Sequence, residues 1–224
     1  MASVENYNNL RWITSGPLPL QSSIDITPRV YLEYAVEDLS LGKEPRTLIN
    51  SISNAKRALH LQSETISDAF GIRKLYPKGM IPFPKRVEFL RSCGIVGERV
   101  LRKLNGVRNS VEHKYYVPSE QEVDDFIDTV ELFIAATDRL IMCFPSEAEI
   151  EYSDHTEGCP EIVQVLIFPG EGKVYLYAHQ RTDESITDLK IMDIYEWIKK
   201  YSIVYTPKDK EFYGWINWLV HAHL

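Results

Sequence analysis

The hydrophobic pattern of this chain changes character at Pro145. Before it, apolar residues recur at helical spacing between strong Pro and Gly punctuation. After it, short runs of two-residue alternation set in. A helix buries one stripe, and a strand buries alternate residues. The switch therefore separates a helical part from a mixed part. The first helix is expected from about Arg29 to Leu39, with Val30, Leu32, Ala35, Val36 and Leu39 as its apolar residues. A longer second helix opens at Pro45, a residue suited to a first helical turn, and carries Leu48, Ile49, Ile52, Ala55, Leu59 and Ile66 before Gly71 closes it. Four residues between Leu75 and Pro84 (Pro77, Gly79, Pro82 and Pro84) forbid a single helix there. A short helix over Lys85–Cys93 is stopped by Gly94, and another begins near Val96. Pro118 bars helix continuation from Val117. Ser119 is a good N-cap for a long helix to about Ile141, with Phe126, Ile127, Val130, Phe133 and Ile134 facing inward.

The expected fold is mainly α: a four- to five-helix bundle over residues 29–145, followed by a small acidic α+β domain over 146–224. Residues 1–28 read as an irregular or partly extended arm, broken by Gly16-Pro17-Leu18-Pro19 and closed by Thr27-Pro28. In the second part, 147–152 alternates as an exposed strand does. Residues 161–168 and 173–180 form a hairpin through Pro169-Gly170-Glu171-Gly172. A helix follows from Met192 to Lys200, then a strand from Tyr201 to Tyr205 and a final helix from Glu211. Trp215, Trp218 and Tyr213 offer base-stacking rings, a use less common than packing.

Charge is partitioned in the same way. The net charge is −7. Residues 1–145 hold 18 basic and 18 acidic residues, whereas 146–224 hold 7 against 14. Within the balanced part, residues 73–108 concentrate ten cations, Arg102 and Lys103 among them, against Glu88 and Glu98 alone. Such a field suits a polyphosphate ligand. No run of 18 apolar residues exists, and the first residues lack the basic-then-apolar order of a secretory signal. Cys93, Cys143 and Cys159 fit reduced thiols. These features give the expectation of a cytoplasmic protein without membrane association. His155 with Cys159, and His221 with His223, are poor metal-ligand sets. With no Gly-rich phosphate loop and no Gly-x-Ser-x-Gly turn, neither metal nor cofactor is expected.

The cationic segment ends on Arg108, and Arg108-Asn109-Ser110-Val111-Glu112-His113 follows. Arginine is a permanent cation that forks onto phosphate, and histidine exchanges protons near neutral pH. Together they can cut a phosphodiester without a metal. On a continuous helix, five residues turn about 140°. Arg108 and His113 therefore converge only if the helix loosens near His113 or a second subunit contributes. The competing structural reading is an Arg108–Glu112 surface ion pair, with His113 and Lys114 favouring a helix C-terminus.

With this motif and the helix after it, residues 29–143 resemble the HEPN superfamily (higher eukaryotes and prokaryotes nucleotide-binding), whose signature is Arg-x4-6-His, often with a polar residue after the arginine. The resemblance implies a metal-independent endoribonuclease in a toxin–antitoxin or phage-defence setting. It would act as a homodimer with the site at the two-fold interface and leave 2′,3′-cyclic phosphate and 5′-hydroxyl ends. Arg108 and His113 would be catalytic, with Asn109 positioning phosphate or the His ring. Glu112 would support them, and Arg102, Lys103, Lys114 and Tyr115 would contact RNA. Other members have lost catalysis, so a binding module docking a nucleotide or protein is the alternative. A third reading is a regulatory, antitoxin-like protein whose acidic domain mimics nucleic acid.

Overall fold

The computed structural model describes residues 11–20, 25–97, 117–152, 161–180 and 191–222. Among these the chain is mostly helical, with one antiparallel sheet. It divides into two compact units that interleave along the sequence. One comprises 20–67 and 80–142, and the other 1–19, 68–79 and 143–224.

The first unit is helical. Helix α1 (Pro28–Ser40) starts where Thr27 caps it, its side chain accepting from the Val30 N–H at 3.4 Å, with Pro28 in the first turn. The Thr-Pro pair expected to close the arm thus also opens the helix, because proline's missing N–H is not needed there. Helix α2 (Pro45–Ala69) runs 25 residues, the last two belonging to the other unit. Its buried stripe includes Leu48, Ile52, Ala55, Leu59 and Ile66, while Ile49 stays exposed. Helix α3 is Phe83–Ser92, and helix α4 is Glu120–Met142. Every inward residue expected of α4 is buried.

Helix α1 packs on α4. Polar bonds pin the helices in register. Ser51 Oγ donates to the Ala35 carbonyl at 2.6 Å, and Asn54 donates to Asp38 at 2.9 Å. Buried Gln62 donates to Thr137 at 2.9 Å and to Asp138 at 3.0 Å, and Asp138 also pairs with Arg29. Buried polar groups are costly unless bonded, so these contacts favour one alignment of the helices. Arg86, only 4% exposed, donates to Ser67 at 2.7 Å and Glu64 at 2.6 Å.

The second unit is built on a five-stranded antiparallel sheet in sequence order: β1 (Arg11–Leu18), β2 (Phe144–Tyr152), β3 (Glu161–Ile167), β4 (Val174–Gln180) and β5 (Ile203–Tyr205). Helices α5 (Ile191–Tyr201) and α6 (Lys210–Ala222) complete it. The extended part of the N-terminal arm is an edge strand, residues 11–18, paired with β2. Register shifts beside Trp12 and Ser15 absorb the Gly16-Pro17 irregularity. Strand β2 is consequently interior rather than exposed, with Ala148 and Ile150 buried. Residues 68–79 group with the sheet unit.

The β3–β4 hairpin is fixed by a close backbone approach. A β-carbon at Gly71 (φ +92°) would fall 2.0 Å from the Cα of Gly172 (φ +57°), so only glycine allows the contact. Gly170 N–H donates to the Ala69 carbonyl at 2.8 Å. Helix α5 packs on β4 through a cluster of Leu166, Tyr175, Tyr177 and Ile198. Helix α6 buries Phe212, Trp215, Ile216 and Leu219 and contacts β2 and β4. Trp215 is therefore core, with Trp218 edge-on to it at 6.0 Å.

Candidate functional site

In the sequence, the Arg-x4-His segment is bracketed by a motif that ends one helix and a motif that starts the next. At the end of α3, Gly94 takes φ +73°; its N–H donates to the Arg91 carbonyl at 2.9 Å, and the Ile95 N–H donates to Leu90 at 3.0 Å. This paired arrangement closes a helix on a left-handed glycine. At the start of α4, the Ser119 hydroxyl accepts from the Glu122 N–H at 3.3 Å, and the Glu122 carboxylate accepts from the Ser119 N–H at 2.8 Å. That is a complete capping box. Pro118 before it is buried. The candidate residues themselves, Arg102, Lys103, Arg108, Asn109, Glu112, His113, Lys114 and Tyr115, lie outside the described residues. So do His155, Cys159 and His223.

Within the helical unit, one face of α2 borders a groove of about 670 Å³. Ser53, Lys56, Arg57, His60, Leu61 and Glu64 recur at three- and four-residue steps, which places them on neighbouring rows of the helix. Tyr31 of α1 lies across from them, with the Arg57 guanidinium 5.9 Å from its ring centroid. Arg57 also donates to Asn54 at 2.9 Å, which restrains its fork. His60 stacks on Phe83 at 4.7 Å and 20°. The Glu64 carboxylate bonds Arg86, which reduces its opposition to an anion beside Lys56 and Arg57. Asp25 also lines the groove and opposes them. The arrangement offers cations and an aromatic face to a planar anionic ligand.

Sequence reasoning missed this groove. The available signal was Lys56-Arg57 followed by His60 inside an otherwise regular amphipathic run. The ring partner of Arg57, Tyr31, is 26 residues away and is brought near only by the packing of the unit.

Of the two described cysteines, Cys93 is not set up as a nucleophile. Burial pushes the Cys93 thiol far up, which leaves it protonated, and Cys143 is simply exposed. Among the described residues no group of three His, Cys, Asp or Glu side chains is placed to hold a metal ion, and no helix is long and apolar enough to cross a membrane. The chain matches no family model, no curated protein and no solved structure.

Proposed function

We propose that the chain is a metal-independent endoribonuclease of HEPN type, acting as a homodimer on RNA in a toxin–antitoxin or phage-defence setting. The observation that carries the reading is the Arg108-Asn109-x3-His113 pattern, lying between a glycine-terminated helix and a capping box that opens a long amphipathic helix. The cations crowded into 73–108 add support.

In this mechanism the RNA's own 2′-hydroxyl attacks the adjacent phosphorus. His113 takes the 2′ proton as general base, and the twin histidine across the dimer gives a proton to the departing 5′-oxygen. The P–O5′ bond breaks as the P–O2′ bond forms, which leaves a 2′,3′-cyclic phosphate and a 5′-hydroxyl. Arg108 holds the non-bridging oxygens, where negative charge grows. Asn109 positions phosphate or the histidine ring, with Glu112 supporting it. Arg102, Lys103, Lys114 and Tyr115 contact the strand.

The test is incubation of a mixed RNA pool in EDTA with wild type and with His113→Ala, each shown to be folded by thermal melting. Loss of general acid–base catalysis costs about 10²- to 10⁴-fold. The wild type should cut, and the variant should be slower by that factor. Equal cutting by both removes His113 from catalysis. The α2 groove favours a second reading, a non-catalytic module that docks a nucleotide on Lys56, Arg57 and Tyr31. Nucleotide binding that Arg57→Gln abolishes, by a wild type that cuts no RNA, would select it.

A further inference from the structure

Residues 146–224 carry only seven cations against 14 acids, and four of the seven gather at two adjoining hollows. A surface kept soluble by charge has no reason to collect its minority sign in one place. The smaller hollow, about 220 Å³, is lined by Lys74, Lys173, Lys208, Gly172 and Thr206. The larger, about 640 Å³, is lined by Tyr175, Trp197, Lys199, Lys200 and others, and Lys173 borders both.

The fold explains the convergence. Val174 pairs with Tyr205 and Tyr175 with Val204. One step beyond the ladder sets Lys173 opposite Thr206. Side chains alternate along a strand, so Lys173 and Tyr175 share a face with Val204 and Thr206. On α5, Glu196, Lys199 and Lys200 recur at helical spacing beside Trp197. Lys74 arrives from the short 3₁₀ turn Ile72–Lys74, held against the hairpin where Gly71 meets Gly172.

Two of the nearby acids, Asp209 and Glu171, are already committed, and Glu196 is exposed, 3.9 Å from Lys199. Asp209 accepts from the N–H and hydroxyl of Thr206 at 2.8 Å each. Glu171 accepts from Lys199 at 3.1 Å and from the Tyr175 hydroxyl at 2.8 Å. Among the described residues, Lys74, Lys173 and Lys208 take part in no salt bridge.

We propose that the two hollows form one binding site for a nucleoside phosphate, with the phosphate among Lys74, Lys173 and Lys208 and the base against the half-buried Trp197. The smaller hollow lies below the roughly 300–1,000 Å³ of ordinary ligand pockets and suits one compact anion, and the larger lies within that range. A compact cluster of lysines beside the Trp197 ring in the larger hollow offers a phosphate and a base their own partners, which favours a nucleotide over an acidic peptide. Glu196 supplies an acceptor for a base amino group. The nucleotide can be free or can be the phosphorylated end of an RNA strand. The site does not depend on whether His113 cuts RNA.

The test uses the full chain carrying His113→Ala, so that no RNA is consumed. Calorimetric titration compares the four nucleoside 5′-monophosphates, the matching nucleosides, inorganic phosphate, a 5′-phosphorylated tetranucleotide RNA, its unphosphorylated form and a hexaglutamate peptide. At least one monophosphate or the phosphorylated RNA should bind at least tenfold more tightly than its dephosphorylated form. Lys173→Gln and Lys208→Gln should each weaken that binding about five- to tenfold in a chain that still melts cooperatively. Binding of a monophosphate identifies a free nucleotide as the source, and binding of the phosphorylated RNA alone identifies a strand end. The site is overturned if no phosphorylated probe binds, if removing the phosphate changes nothing, if both lysine variants bind as wild type, or if the peptide binds as tightly.

Discussion

Single residues decide geometry in the sheet unit and chemistry in the proposed ribonuclease. Gly71 has a positive φ and no room for a β-carbon, because the Gly172 backbone occupies that space. Gly71→Ala must move the hairpin or unfold it. Overpacking of this kind costs about 1–3 kcal/mol, with backbone strain in addition. Chemical denaturation should show a loss of about 3 kcal/mol, whereas Gly79→Ala, with nothing near its β-carbon, should lose less. Glu171 gives a pH-dependent counterpart. Burial pushes its carboxyl up, but hydrogen bonds from Tyr175 and Lys199 and the charges of Lys199 and Lys173 outweigh burial and hold it below its ordinary value. A carboxylate lowered on folding adds stability above its unfolded pKa, about 4.3, and that stability is lost as pH falls through the folded value. The melting temperature of wild type should therefore fall more steeply below about pH 4.5 than that of Glu171→Gln. Parallel curves would show that the Glu171 bonds contribute nothing on folding.

At the scale of elements, helix ends carry much of the local order. The Ser119–Glu122 box satisfies N–H groups that α4 cannot bond internally. Ser119→Ala should cost about 1 kcal/mol in denaturant unfolding, and Ser119→Asp should restore most of it. Serine followed three residues later by glutamate is a signal readable in one dimension, as is the apolar period of α2 and α4. These elements were accordingly legible in the sequence to within a residue or two. Strand β1 was not. Its Gly16-Pro17 looks like a break, and only pairing with β2, more than 120 residues away, makes residues 11–18 a strand. Strand formation depends on such neighbours more than on intrinsic preference. The lysine hollows were hidden for the same reason. Lys74, Lys173 and Lys208 are distant in sequence and meet through a glycine contact and a strand register. The Arg108–His113 pattern is the reverse case, a site legible only as a motif.

At the scale of the whole molecule, charge is divided. The cation-rich stretch lies at 73–108, while 146–224 is acidic except at its lysine hollows. The proposed enzyme works as a pair of identical chains, because two histidines are needed for the acid and base roles. A tenfold excess of His113→Ala chains, allowed to exchange subunits with wild type at saturating RNA, should lower the activity of the wild-type chains about tenfold as mixed dimers form. Unchanged activity would mean that each chain cuts alone. The most direct measurement sets an RNA oligonucleotide against its fully 2′-O-methylated counterpart, both in EDTA with the wild-type chain. Attack by the neighbouring 2′-hydroxyl predicts that the RNA is cut to 2′,3′-cyclic phosphate ends and the methylated strand stays intact. Cleavage of the methylated strand, or cleavage of RNA only after a divalent metal is restored, would contradict the proposed mechanism.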